Sequence, residues 1–212
     1  MAMTLTDDQN MLRDTARDFM TSEAPVTHFR KFRDMGCKDG FSHGLWKQFA
    51  ELGFTGILIP EADGGMGMGQ IEAGIVLEEI GRNLSPSPFL TTSVAAVEAL
   101  KLADKAMRDR WFPGVLAGET VIGIAIEEGV KHRPEKIACV AERSGNGFKL
   151  TGQKAICRAR HVIGHAHCRG AFRWRGWRNR WPDLVRGGQG RGWPFDGGRA
   201  ACRFCCRCTC ET

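Results

Sequence analysis

The sequence predicts a mainly α-helical N-terminal domain, followed by the first strands of an antiparallel β-sheet and by a disordered or irregular tail. Three observations support this fold class. Apolar residues recur at helical spacing up to residue 116, β-branched and alternating runs replace them from residue 120, and aliphatic residues become scarce after residue 156. We therefore divide the chain into a helical domain (1–118), the start of a β domain (119–156) and a tail (157–212).

Two helices are predicted before residue 55. Thr6 and Gln9 form a capping-box pattern, and the helix that follows should end before Pro25. A second helix should end at Gly53, a residue that suits a left-handed C-terminal cap. Their apolar faces consist of Leu12, Ala16, Phe19 and Met20 in the first helix, and of Leu45, Trp46, Phe49 and Leu52 in the second.

The centre of the helical domain is predicted to be a buried helix. Thr55–Pro60 reads as a short extended run, and Glu61–Gly69 as a tight loop with four glycines. Gln70–Leu84 then carries apolar residues on most sides, so we expect this helix to be central and buried. Its apolar positions are Ile71, Ala73, Ile75, Val76, Leu77, Ile80 and Leu84.

Two further helices precede a change to strands. Pro86 and Pro88 should end the central helix, after which Thr92–Leu102 and Asp104–Leu116 read as helices, the latter disturbed at Pro113. Strands are predicted at Thr120–Ile126, Ile137–Arg143 and Phe148–Thr151, with Asn146 and Gly147 as the hairpin turn between the last two.

Charge and cysteine are unevenly distributed along the chain. Residues 1–156 carry 18 basic and 21 acidic residues, whereas residues 157–212 carry 12 arginines, no lysine and 3 acids, which gives the whole chain its net charge of +6. Seven of the nine cysteines also lie in the tail, so a disulfide framework is not expected. The N-terminus has no targeting pattern and no apolar run approaches the ~20 residues that span a bilayer, so a soluble, cytoplasmic protein is expected.

A set of motifs occurs in a fixed order along residues 4–156. It consists of Gly44–Phe54, the glycine loop that follows, Leu116–Glu119 and the hairpin around Asn146 and Gly147. The loop contributes Ile59, Pro60, Glu61, Gly64, Gly65, Gly67 and Gly69, and Glu78 and Glu79 follow in the next helix. In this combination, residues 4–156 resemble the acyl-CoA dehydrogenase family.

This resemblance implies the rest of the fold and the chemistry. Members have a helical N-terminal domain, a middle β-barrel and a C-terminal helical bundle, with FAD and the acyl-CoA thioester at their junction. A carboxylate removes the α-proton, and the β-hydride passes to the flavin. The implied partners are acyl-CoA, an electron-transfer flavoprotein or similar acceptor, and further subunits of a homo- or hetero-oligomer.

The resemblance also suggests which residues contact the flavin. Ile124 to Gly129 match the segment that meets the flavin ring in the family, and Ile124, Ile126, Glu127 and Gly129 are the candidate contacts. Ile126 stands where many relatives have Thr, so a backbone N–H would have to replace that hydroxyl. Glu127 and Glu128 read equally well as a solvated loop. Ile71 to Ile80 resembles the helix that lines the acyl pocket, although a purely structural role is the simpler interpretation. No residue matches the catalytic carboxylate, which usually comes from the C-terminal bundle.

The tail has the composition of DNA translated in a wrong reading frame. Residues 157–212 contain only four Val, Ile, Leu or Met residues, too few to offset the entropy of folding. Permissible codons for His167–Trp174 and Asp183–Gln189, read one base later, encode two segments that resemble, in the right order, the strands that the family places there. We therefore expect an acyl-CoA dehydrogenase truncated by a frameshift and inactive.

Three other readings remain open. The chain could be a noncatalytic subunit that a partner completes, because a broken barrel leaves unpaired strand edges. Arginines interleaved with tryptophans in the tail could bind nucleic acid, although no specific nucleic acid is expected. Cysteines between Cys202 and Cys210 could bind zinc, but they lack a second ligand pair across a loop, and no metal site is expected.

Overall fold

A computed structural model of the chain describes residues 4–37, 39–123, 128–131, 133, 138, 140–144, 147–151 and 173–174. Its main body is helical, as predicted, and spans residues 7 to 116. The predicted domain boundaries at residues 118 and 156 remain predictions.

The two helices predicted near the N-terminus are confirmed. Helix α1 (Asp7–Glu23) begins with a capping box, in which Gln9 N–H donates to the Thr6 hydroxyl at 3.2 Å and Thr6 N–H donates to the Gln9 side chain at 3.0 Å. Helix α3 (His43–Glu51) ends before Gly53, whose φ of +80° confirms the left-handed cap.

The sequence analysis missed helix α2 (Val26–Asp34). None of its side chains is fully buried, and its nine residues offer only Val26, Phe29 and Phe32 as apolar positions, too short a run for the sequence analysis to recognise as a helix.

The extended run predicted for Thr55–Pro60 is wrong. Phe54–Gly56 is a 3₁₀ turn, and Ile57 N–H and Ile59 N–H donate to the carbonyls of Phe54 and Gly56. All residues from Phe54 to Ile59 are buried in these turns, which explains why this stretch of sequence is mostly apolar. A second 3₁₀ turn, Glu61–Asp63, opens the glycine loop.

The central helix is buried on one side only, whereas burial on most sides was predicted. Helix α4 (Gln70–Arg82) buries Ala73, Ile75, Val76, Glu79 and Ile80, but Ile71 is 52% exposed, and Leu84 lies beyond the end of the helix with 57% exposure. Helix α1 covers one side of α4 and leaves the opposite side open. Apolar residues on several sides thus did not mean complete burial here.

The last helices differ from the prediction in two details. Leu90–Ala96 is a π-helical segment that continues as α5 (Val97–Lys101), where a single α-helix was expected. Helix α6 (Lys105–Leu116) is capped by the Asp104 carboxylate and runs through Pro113 without ending there.

Aromatic rings fill the centre of the body. The Phe49 ring meets those of Phe19 and Phe54 edge to face, at centroid distances of 5.5 and 5.7 Å. Trp46, Phe89 and Phe112 are also almost completely buried. The core therefore draws on α1, α3, the segment before α5, and α6.

A small sheet follows the helical body. Strands β1 (Val140–Ser144) and β2 (Gly147–Thr151) pair antiparallel, with Ser144 opposite Gly147, so Gly147 belongs to the strand and not to the turn. The described part of the first predicted strand, Thr120 to Gly123, is in neither helix nor strand. The remainder of that run lies outside the described residues, and the β-barrel remains a prediction.

Two residues of the tail form a strand, although an irregular tail was predicted. Arg173–Trp174 form strand β3, which pairs parallel to β1 at Val140 and Ala141. The free edge of a hairpin offers backbone groups to any nearby extended segment, which explains so short a pairing. The other tail residues, including the cysteines and the arginine-rich runs, lie outside the described residues.

Candidate functional site

The predicted flavin-contacting segment is described only at its end. Ile124, Ile126 and Glu127 lie outside the described residues, whereas Gly129 is exposed. A Cβ atom at Gly129 would meet nothing within 4 Å among the described residues, so no described contact requires a glycine here. The Glu128 carboxylate accepts a hydrogen bond from Ala138 N–H at 2.5 Å, which gives this acid a structural contact within the loop.

The chain that leads into this segment is held against the helical body. The N–H groups of Glu119 and Thr120 both donate to the Gly114 carbonyl at 2.9 Å, directly after α6. Ile122 then enters the core with only 4% of its surface exposed. The position of the segment is thus fixed up to two residues before Ile124.

Among the described residues, one side chain, that of Thr92, holds the backbone of Ile122. Its N–H donates to the Thr92 hydroxyl oxygen at 3.0 Å, and the same hydroxyl donates to the Ile122 carbonyl at 3.2 Å. All of these groups are buried, so both backbone groups of Ile122 depend on Thr92. We call this reciprocal pair the Thr92–Ile122 clamp. It also explains why no strand forms at Ile122, since the groups that a β-ladder would use are occupied.

The π-helical segment carries the clamp. A π-turn adds a residue to the helical repeat and re-aims the side chains around it, and such turns are frequent at functional sites. Ser93, next to Thr92, is completely buried, and its hydroxyl has no hydrogen-bond partner among the described residues. Leu90, at the start of the segment, is about half exposed.

A buried acid joins α1 to α4. The Glu79 carboxylate is 1% exposed and receives two hydrogen bonds from Arg17, at 2.8 and 3.3 Å, while Arg82 Nε lies 3.4 Å away. The hydrogen bond to Glu79 and its charge raise the pKa of Arg17. Because both carboxylate oxygens are engaged by Arg17, Glu79 serves to hold the helices together and is not placed to act as a base.

An open pocket of about 350 Å³ lies beside the glycine loop. Met68 on its wall and the nearby Met66 are 36% and 38% exposed, so a flexible apolar surface faces outward here. Glu61 and Lys101 add one charge of each sign. The residues that line this methionine pocket are Leu58, Pro60, Glu61, Gly67, Met68 and Lys101.

The described part of the chain contains no group of three or more potential metal ligands, and none of its helices is long and apolar enough to cross a bilayer. The cysteines proposed as alternative zinc ligands fall outside it.

Comparison with known proteins decides the family. Residues 6–119 match the acyl-CoA dehydrogenase, N-terminal domain family, and this match spans the helical body and more than half of the chain. The chain belongs to the acyl-CoA dehydrogenase family. The resemblance inferred from the glycine loop and its flanking helices is therefore confirmed.

Curated relatives of this acyl-CoA dehydrogenase family member are distant. The chain is 30% identical to acyl-CoA dehydrogenase FadE12 of Mycobacterium tuberculosis over 128 residues, which cover 59% of this chain and 33% of the relative. It is 27% identical to the mitochondrial isovaleryl-CoA dehydrogenase of Pongo abelii over 157 residues, which cover 71% of this chain and 36% of the relative. The chain thus spans about a third of the length of these relatives.

Solved structures show the same fold. A variant of the Tcur3481-Tcur3483 steroid ACAD matches with a TM-score of 0.70 at 31% identity, over 81% of this chain and 46% of that chain. The ChsE4-ChsE5 complex from Mycobacterium tuberculosis matches with a TM-score of 0.65 at 23% identity, over 74% of this chain and 42% of that chain.

Sequence reasoning missed the contacts that organise this site. Thr92 was expected only to begin a helix, and its partner lies thirty residues further along the chain. The pairing of Arg17 with Glu79 spans sixty-two residues. Periodicity reports on neighbours within one element, so neither contact leaves a local signal.

Proposed function

We propose that this chain supplies the N-terminal helical part of an FAD-dependent acyl-CoA dehydrogenase, which oxidises the α,β C–C bond of an acyl-CoA thioester. The observation that carries the proposal is the family match over residues 6–119, which coincides with the helical body. When bound, the flavin would accept the β-hydride. The helical body would contribute one wall of the site and fix where residues 124–129 begin.

This chain would not catalyse the reaction unaided. Proton abstraction needs a carboxylate within reach of the α-carbon, and no residue here matches the family's catalytic acid. Glu79, the most buried carboxylate that the structure describes, is bound by Arg17. A C-terminal helical bundle, which the family resemblance implies, would have to supply the base.

Equilibrium titration of the full chain with FAD, followed by flavin fluorescence, tests this function. We expect weak, saturable binding that does not survive gel filtration, and no reduction of a dye by acyl-CoA substrates. Absence of any saturable binding would argue against a flavin role, whereas dye reduction would show that the chain is active by itself.

The composition of residues 157–212 favours an out-of-frame tail. Arginine without lysine, together with cysteine, glycine and tryptophan, replaces the aliphatic residues that further barrel strands need. Sequencing the coding DNA around Ile156 tests this. An inserted or missing base relative to an open acyl-CoA dehydrogenase frame is expected, and an uninterrupted transcript that encodes the tail would contradict it.

A noncatalytic subunit of a heteromeric dehydrogenase is the second candidate. It is favoured by two structural matches that are each named as a pair of proteins, Tcur3481-Tcur3483 and ChsE4-ChsE5. Co-expression with a longer acyl-CoA dehydrogenase subunit, followed by size-exclusion chromatography, tests this candidate. Co-elution at a fixed ratio is expected, and a lone monomer under the same conditions would exclude that partner.

The electron acceptor would be an electron-transfer flavoprotein or a similar protein, and the methionine pocket is its candidate docking surface. Met68 lines this open pocket with 36% of its surface exposed, and a flexible methionine side chain can adapt to a partner's side chain. Met68→Glu should weaken acceptor binding about tenfold or more, as judged by biolayer interferometry. Met35→Glu is the matched control, because Met35 is exposed but lies after α2. Equal effects of the two changes would contradict this assignment.

A further inference from the structure

We propose that a second copy of this chain docks on helices α1 and α2, with an acidic face of α1 in one copy against the basic helix α2 of the other. The surface goes beyond the proposed function, since neither the flavin nor the acyl-CoA is involved. Its basis is that two consecutive helices expose charges of opposite sign, and that none of these charges pairs across from one helix to the other among the described residues.

Helix α1 has an outward row of carboxylates around an exposed methionine. Asp7, Met11, Asp14 and Asp18 follow each other at intervals of four, three and four residues, which places them on one side of the helix. All four are exposed, Met11 with 66% of its surface. Asp14 is paired with Arg13 at 2.9 Å, whereas Asp7 and Asp18 have no ion-pair partner among the described residues. We call this row the acidic face of α1.

Helix α2 is basic and loosely packed. Arg30, Lys31 and Arg33 are exposed, and none of the nine residues of α2 is fully buried. Arg33 lies 2.7 Å from Asp34, whereas Arg30 and Lys31 have no ion-pair partner in the part of the chain that the structure describes. The helix also makes few contacts with the other described elements, so its basic side chains are open to a partner.

The charge balance of the helical domain favours a second copy as this partner. Outside α2, residues 1–118 carry 9 Lys and Arg against 15 Asp and Glu, so α2 is the basic exception on an acidic body. Such a helix is complementary to another copy of the same body, and the acidic face of α1 presents its carboxylates in a row. A two-fold pair forms the contact twice, once in each direction. An anionic bilayer is less well matched, because three basic residues are fewer than the clusters of about 4–8 that recognise acidic lipids.

The lengths of the two helices and the exposure of their charges determine how strong the contact is. Helix α1 is about 25 Å long and α2 about 13 Å, so the interface is small. We therefore expect a dissociation constant on the order of 10–100 µM. Because salt screens exposed charges, the dimer should form at low ionic strength and dissociate at about 1 M salt.

Charge reversal on each helix, followed by sedimentation velocity of the full chain, tests the pairing. The α1 variant is Asp7→Lys with Asp18→Lys, the α2 variant is Arg30→Glu with Lys31→Glu, and neither breaks a described ion pair. Each variant alone should dimerise at least about tenfold more weakly, because like charges then face each other. An equimolar mixture of the two variants should form a mixed dimer, because both contacts again join opposite charges.

Lys105→Glu with Arg110→Glu is the matched control for the α2 variant. It changes the net charge by the same amount at exposed positions of α6, and it should dimerise like the wild type. Circular dichroism checks that every variant is folded. If the α1 variant is not, Asp7→Asn with Asp18→Asn replaces it and should weaken the dimer by a smaller factor.

Four results would overturn the inference. The first two are a wild type that stays monomeric at about 100 µM in low salt, and a wild type that forms species larger than a dimer. The third is a mixture of the α1 and α2 variants that stays monomeric. The fourth is equal weakening by the α6 control, which would show that net charge, and not these two helices, governs association.

Discussion

Gly65→Ala should be among the most damaging single-methyl additions to the glycine loop. A Cβ atom at this position would lie 2.2 Å from the Ile59 carbonyl oxygen and 2.6 Å from the carbonyl carbon. Ordinary contact between such atoms is about 3.2 Å or more, so the backbone would have to move by about 1 Å. Rotation of a side chain would not relieve this clash, because the atoms in the way are main-chain atoms of Ile59 and its Cβ at 2.4 Å, none of which moves when a side chain rotates.

The magnitude follows from what that movement breaks. The Ile59 carbonyl accepts a hydrogen bond from Gly67 N–H at 2.8 Å, which closes the loop over a buried segment. Loss of that bond costs about 1 kcal/mol, and overpacking in a tight site adds about 1–3 kcal/mol. We therefore expect Gly65→Ala to lower the free energy of unfolding by about 2–4 kcal/mol.

Gly74→Ala is the matched control for this prediction. Gly74 lies within α4 and is exposed, and a Cβ atom added there would meet nothing within 4 Å. Alanine is the better helix former, so the same chemical change should here stabilise by about 0.5–1 kcal/mol. The two glycines should thus respond to an added methyl group in opposite directions.

Urea unfolding of the full chain, followed by far-UV circular dichroism, measures both variants. With a slope of about 1–2 kcal/mol per M, the predicted loss lowers the midpoint of Gly65→Ala by about 1 M or more. If Gly65→Ala unfolds within about 0.5 kcal/mol of the wild type while Gly74→Ala is stabilised, the steric reasoning about the loop is wrong.

Three further predictions concern single side chains. Leu84→Gly should raise stability by about 0.5–1 kcal/mol in thermal unfolding, because Leu84 has a φ of +50° and an exposed side chain. A lower stability of this variant would show that the backbone at Leu84 is not strained. The hydrogen bond from Gln9 lowers the pKa of Glu72, so this acid stabilises the fold above its ordinary pKa of about 4.3, and the stability is lost as the pH falls through the folded pKa. The melting temperature of Glu72→Gln should therefore lie below that of the wild type at neutral pH and approach it as the pH falls below the folded pKa of Glu72, whereas a constant difference would contradict the linkage. Arg17→Met should lower the melting temperature by several degrees because Glu79 would lose its main partner in the interior, and an unchanged value would show that Arg82 suffices.

Local chemistry explains which elements could be predicted from the sequence. The capping box at Thr6 and the left-handed residue Gly53 are short-range devices, and both were found where they were expected. Thr55–Pro60 was misread because a buried apolar run has the same composition in a strand and in a chain of turns. Ile71 was misplaced because apolar character on a helix does not say which of its sides a neighbour will cover.

The candidate site depended more on the resemblance than on the pattern. Composition and spacing led to a helical body and a hairpin, and the quoted motifs led to the family, which the match over residues 6–119 confirms. The contacts that position the site join elements far apart in the chain, as Thr92 does with Ile122. Such contacts follow from packing in three dimensions, and no periodicity within one element specifies them.

The helical body and the flavin segment therefore differ in what they depend on. The described core runs from Ala16 to Ile122, so the aromatic interior draws on no described residue of the sheet or the tail. The candidate flavin contacts begin at Ile124, two residues after Ile122, the last residue of that core. We therefore expect a change in the chain beyond residue 156 to leave the fold of the helical body and its methionine pocket intact.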